Sequence, residues 1–136
     1  MKRINKKKIR EVAEKYGLRL VLLFGSQASG KTHFASDFDV AVLGERSINI
    51  EKELEICYEF VKIFKTDNVD IVDIGKSGPL LMNQIFTKPH EILFCDDLQI
   101  YFRYKIYAMK SYIEAKPLFM LTEKQIDNFL KERRNL

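Results

Sequence analysis

Two aspartates separated by one residue, Asp37 and Asp39, stand at the mouth of an apolar run, Phe38 to Leu43. A third, Asp70, opens a second run, Val69-Asp70-Ile71-Val72-Asp73-Ile74. Side chains of an extended strand alternate between its two faces, so Asp37 and Asp39 point to the same side of a sheet. At roughly 5 Å and an effective dielectric near 20, two such charges repel by about 3 kcal/mol. A divalent cation removes that cost. Mg²⁺ takes carboxylate oxygens while keeping positions open for water and substrate phosphates, and a third carboxylate on a neighbouring strand would let two ions hold an attacking and a leaving oxygen in line. Asp70 is the expected third ligand, since Asp73 has the opposite parity and only one of the two can face the same metal.

Phosphate contact is expected where the first apolar run, Leu18 to Phe24, breaks into Gly25-Ser26, with ten residues between that pair and Asp37. Glycine lets backbone approach a phosphate closely, and Ser26 adds a hydroxyl and an N–H, with Lys31 nearby to supply positive charge. The same stretch, Gly25-Ser-Gln-Ala-Ser-Gly30-Lys31-Thr32, also satisfies the P-loop pattern of an ATPase. A P-loop requires a helix of about three turns starting at its Lys and Thr. Only His33 to Ser36 intervene before the next strand, which disfavours that alternative. His33 itself reads as a solvated loop residue beside the site, and His90 as structural.

These residues need elements to hold them. Ile9, Val12, Ala13 and Tyr16 recur at helical spacing between about Asn5 and Tyr16, and Gly17 follows where a left-handed cap is needed. Leu18 to Phe24 has the nearly unbroken apolarity of a strand covered on both faces. Ile50, Leu54, Cys57, Val61 and Phe64 predict the buried stripe of an amphipathic helix. A third strand is expected over 69–74, a short helix from Gly78-Pro79, and a fourth strand from His90 to Cys95. In the tail, Phe102, Ile106, Met109 and Ile113 form one apolar stripe, Pro117 is expected to stop that helix, and Thr122 with Gln125 offers a capping box for a last one ending near Arg134. Tyr101, Tyr104, Tyr107 and Tyr112 lie among basic residues at helical spacing and read as packing and partner surface rather than a base-stacking platform.

The expected fold is a small α/β (α+β) domain with a mixed sheet, because the strands flanking the Gly-Ser loop are too close in sequence for a helical crossover. Its core is expected over residues 1–97, with 98–136 as a helical extension packed on the same domain. With 136 residues, 46% hydrophobic and 31% charged, the chain suits one soluble domain, and it carries neither a signal peptide nor a membrane-spanning run. A cytoplasmic protein is expected, its two cysteines, Cys57 and Cys95, being buried free thiols. Net charge is +4, with Lys2, Arg3, Lys6, Lys7, Lys8 and Arg10 at one end and Lys131, Arg133 and Arg134 at the other. Such clusters suit nucleic acid, but solvated helix faces attractive to an acidic partner are the favoured reading.

The segments GSQASGKTHFASDFDVAVL and VDIVDI resemble the nucleotidyltransferase superfamily that includes DNA polymerase β and the MNT-type (minimal nucleotidyltransferase) proteins. That resemblance runs from the first helix to about Asp96. It implies that Asp37, Asp39 and Asp70 bind metal, two Mg²⁺ ions being expected, and that Gly25 and Ser26 hold the triphosphate of ATP or another NTP. The implied reaction transfers a nucleoside monophosphate, AMP by preference, to a hydroxyl, with Asp70 assisting deprotonation of the acceptor. Small members often read Gly-Ser-Arg-Ala-Arg-Gly where this chain has Gln27 and Ser29 in place of the arginines. A non-catalytic antitoxin that masks its partner is therefore the alternative. About forty residues follow Cys95, enough for two helices but not for an acceptor-binding domain. The resemblance then implies a second protein as acceptor, a tyrosine of a helical HEPN-type toxin.

Overall fold

The computed structural model describes residues 4–30 and 37–134. In chain order these form α1 (Lys6–Tyr16), β1 (Leu18–Phe24), a four-residue α2 (Ser26–Ser29), β2 (Phe38–Gly44), α3 (Ile50–Phe64), β3 (Val69–Asp73), a 3₁₀ turn (Ile74–Lys76), α4 (Pro79–Thr87), β4 (His90–Cys95) and α5 (Leu98–Arg134). The four strands make one mixed sheet in the order β3-β2-β1-β4, antiparallel except for the parallel pair of β2 with β3. The short Gly-Ser connection gives the antiparallel β1–β2 pair, whereas α3 supplies the crossover that a parallel β2–β3 pair needs.

β1 is apolar except for Arg19 because both of its faces are covered. Val21 and Leu23 join Val40 and Val42 of β2 under α1 and α3, against Ile9, Val12, Ile56 and Phe60. Leu20, Leu22 and Phe24 join Ala41 and Leu43 under α4 and the start of α5, against Met82, Ile85, Phe86 and Tyr101. Each side chain fully withdrawn from water in these layers contributes about 1.5–3 kcal/mol before entropy is counted.

The stripe expected on α3 is displaced. Ile56, Phe60 and Phe64 are buried, whereas Ile50 and Leu54 are 74% and 65% exposed. Phe64 stacks on Phe38 at 4.6 Å and on Phe60 at 5.9 Å. These rings carry the largest apolar area on the helix and set its rotation, which swings Ile50, Leu54 and Val61 about 100° to one side. The cysteines also differ from expectation. Both are free but only half-buried, and burial is the main cause that holds each thiol above its ordinary pKa.

The tail is one helix rather than two. Pro117 lies inside α5, and Thr122, instead of capping a new helix, donates its hydroxyl to the Leu118 carbonyl at 2.9 Å. Pro117 forfeits one hydrogen bond to the carbonyl of Ile113, a residue on the exposed side of the helix where that carbonyl can turn to water. Residues of good helical propensity on both sides carry the helix through. Its stripe Phe102, Ile106, Met109 and Ile113 points outward, all four exposed, while Ile100, Tyr101 and Ala108 face the sheet. No helix among the described residues is long and apolar enough to cross a membrane.

Candidate active site

Phe38 explains how two carboxylates are aimed together. Its ring is drawn into the core beneath α3, only 8% exposed, so alternation sends the flanking Asp37 and Asp39 to the opposite face. The Phe38 N–H donates to the Asn68 carbonyl at 2.7 Å and sets the register of β2 on β3. That register places Asp39 directly opposite Asp70, while on the other side Asp39 lies opposite Phe24, the last residue of β1. Asp37 sits two residues earlier, exposed at the mouth of the strand.

Next to Phe24 the chain turns at Gly25, whose φ of 76° and ψ of −152° belong to a region that glycine alone occupies comfortably. A Cβ on Gly25 would drive into Oδ2 of Asp39 and lie 3.2 Å from its Cγ. The Gly-Ser turn and the carboxylate are therefore in direct apposition. The Gly25 carbonyl accepts from the N–H groups of Ala28 at 3.2 Å and Ser29 at 3.1 Å, closing α2, and Gly30, at φ 77°, ends it. This helix finishes before Lys31, so it is not the long helix a P-loop requires. Lys31, Thr32 and His33 lie outside the described residues.

Asp39 is held above the ordinary carboxylate pKa, first by burial and then by the negative charges of Asp70 and Asp37. Among the described residues, no Lys, Arg or His forms an ion pair with any of the three. Nor do three ligating groups among those residues already converge on one point. Asp39 and Asp70 are the facing pair, with Asp37 beside them. Asp73 is otherwise engaged. It lies opposite Val42, on the other face, where Oδ1 accepts from the Gly75 N–H at 2.9 Å and Oδ2 is 3.8 Å from Lys76 Nζ.

One neighbour of Asp70 was not apparent from sequence spacing. Cys57 of α3 is 3.7 Å from the Val69 carbonyl, and Asp70 contributes to the rise of its thiol pKa. Together with Ile50, Leu54, Val69 and Ile71 it lines a groove of about 260 Å³ reaching Asp70. His90 has the structural role expected of it. Its Nδ1 is 2.7 Å from the Lys88 carbonyl and therefore carries the proton, leaving Nε2 to accept from the Tyr101 hydroxyl at 2.6 Å.

Gly25→Ala provides a direct test of the apposition. It should cost about 1–3 kcal/mol of stability in urea unfolding, from an unfavourable backbone conformation and a displaced Asp39. An unchanged midpoint would mean that the turn does not press on the carboxylate.

A glycine-serine turn beside carboxylates on adjacent strands of a mixed sheet suits a bound cation and a phosphate. Residues 7–99 match the family Polymerase beta, Nucleotidyltransferase, and the chain belongs to that family. It is 27% identical over 99 residues, 73% of this chain and 70% of the relative, to protein adenylyltransferase MntA of Shewanella oneidensis. The fold is similar to a toxin–antitoxin crystal structure with AMP-PNP, with a TM-score of 0.75 and 24% identity, covering 93% of this chain and 99% of that one. It is also similar, with a TM-score of 0.68 and 22% identity over 92% and 95% of the two chains, to a structure of tri-AMPylated Shewanella oneidensis HEPN toxin in complex with MNT antitoxin.

Proposed function

We propose that this nucleotidyltransferase moves AMP from ATP to a tyrosine hydroxyl of a HEPN-type partner in the cytoplasm and thereby acts as its antitoxin. The observation that carries this reading is the crowded Asp39–Asp70 couple against the Gly25 turn. Its donor chemistry fits Mg²⁺: hard carboxylate oxygens, crowded and lacking a cationic partner among the described residues. Asp37, Asp39 and Asp70 would hold the metal, two ions being the expected complement. When bound, Mg²⁺ offsets the charge of the triphosphate and of these carboxylates.

The remaining chemistry belongs to the chain's own groups. Gly25 and Ser26 bring backbone and hydroxyl donors to the triphosphate, and Lys31 adds charge from the same loop. The acceptor oxygen attacks the α-phosphorus, the new P–O bond replaces the bond to pyrophosphate, and Asp70 takes the hydroxyl proton. Positioning supplies much of the rate enhancement, so no nucleophilic side chain is required. Residues 1–97 form the catalytic unit in this reading and 98–136 its extension. The names of the relatives, an adenylyltransferase and an antitoxin on an AMPylated HEPN toxin, support the same choice of nucleotide and partner.

Incubating the chain with a HEPN-type protein, ATP and Mg²⁺ and taking intact masses of both should show whole AMP additions on the partner. A partner that binds tightly but gains no mass would replace transfer with masking. Gln27 and Ser29, standing where small family members often carry arginines, are the feature that favours that second reading.

A further inference from the structure

The outward stripe of α5 has the spacing of a coiled-coil seam. Phe102, Ile106, Met109, Ile113 and Met120 follow intervals of four, three, four and seven residues, that is, the a and d positions of successive heptads with Lys116 at the intervening d. They are between 48% and 68% exposed. The seam covers about 27 Å of helix, and it is exposed among the described residues. Tyr107, Leu118 and Leu121 are also exposed beside this line, so the apolar face widens towards the C-terminal half of the helix, and a lipid surface is one of the outcomes tested below.

The rim decides the occupant. Of the e and g positions along the seam, Arg103, Lys105, Lys110 and Lys124 are cationic, Tyr112, Pro117 and Phe119 are uncharged, and none is acidic. A second copy of this helix, parallel or antiparallel, would set these cations against one another, because g faces e′ in one case and e faces e′ in the other. An amphipathic helix with glutamate or aspartate at its e and g positions would meet them with opposite charge. Beside the seam, Arg103, Tyr104 and Tyr107 border a groove of about 480 Å³ that reaches Ser77 and Gly75, giving the partner's acidic flank further room.

We propose that the outer face of α5 docks an acid-flanked amphipathic helix of another protein as a two-stranded coiled coil. This deepens the partner reading above and rests on it only for there being a partner, since docking needs no transfer.

The test uses the full chain and two labelled heptad peptides, both with Ile and Leu at a and d, one with Glu at e and g and the other with Lys. Fluorescence anisotropy should show the Glu peptide binding at least about tenfold more tightly, with the preference shrinking as salt rises. Ile106→Glu should weaken binding by about 30-fold or more without shifting the thermal midpoint, because Ile106 is exposed. The double variant Arg103→Glu, Lys110→Glu should turn the preference towards the Lys peptide. Asp39→Ala should bind the Glu peptide as the parent does, which separates failure of docking from failure of transfer. Equal affinity for the two peptides, or none for either, would overturn the proposal. So would a homodimer in sedimentation equilibrium that Ile106→Glu dissolves, or capture by phosphatidylglycerol vesicles in preference to the Glu peptide.

Discussion

Asp39→Ala is expected to lower nucleotide transfer by a factor on the order of 10³ or more, as loss of a central ligand for the metal would require. Asp37→Ala should act in the same direction. The folded chain should survive both changes. In metal-free buffer near neutral pH, Asp39→Ala should melt at or above the temperature of the parent, because the carboxylate it removes is crowded by burial, Asp70 and Asp37. The pH dependence has a definite sign. A carboxylate whose pKa is raised in the folded state keeps its proton there when the unfolded chain has already released it, so stability falls as pH rises from the ordinary value of 3.8 through the raised one. Asp39→Asn should abolish that component of the decline, and Mg²⁺ should stabilise the parent more than the variant. Wild-type transfer by Asp39→Ala, measured on a partner or with labelled ATP, would remove the carboxylates from the active site.

The second large effect separates two aspartates three residues apart. Asp70→Asn is expected to be nearly inactive, since it removes both the carboxylate facing Asp39 and the group assigned to take the acceptor proton. Asp73→Asn should retain most activity. Its cost in stability should be small, about 0.5 kcal/mol or less, because the side chain caps the turn at Gly75 and an amide oxygen caps nearly as well as a carboxylate. Transfer rates and urea midpoints of the two variants give the answer together. An active Asp70→Asn with an inactive Asp73→Asn would move the catalytic role to the other face of β3.

Much of this arrangement was legible in residue types. The alternation of Asp37 and Asp39 predicts two carboxylates on one face, and the structure adds Phe38 as the anchor on the other. The parity of Asp70 against Asp73 follows from the same period of two. Register could not be read, because nothing in VDIVDI says which residue will oppose Asp39; the Phe38–Asn68 hydrogen bond does. Periodicity also failed where two apolar lines share one helix. On α3 the line of Ile50 and Leu54 competes with that of Ile56 and Phe60, and the phenylalanine stack decides between them. On α5 the regular stripe is the exposed one, and the face on the sheet is marked only by Ile100, Tyr101 and Ala108. Pro117 reads as a terminator in the sequence because the exposure of Ile113, which lets the freed carbonyl turn to water, is not legible there.

β3 forms one border of the sheet and is only five residues long. A strand in that position offers unpaired backbone groups to any other extended chain, and proteins blunt such borders with brevity and charge. β3 has both, being short and carrying Asp70 and Asp73, one charge on each face. The carboxylate proposed to work on the acceptor is therefore also a solubility device, and chemistry and resistance to self-association constrain the same side chain. Selection for a faster enzyme at position 70 is confined to residues that also keep this border from being recruited into an intermolecular sheet.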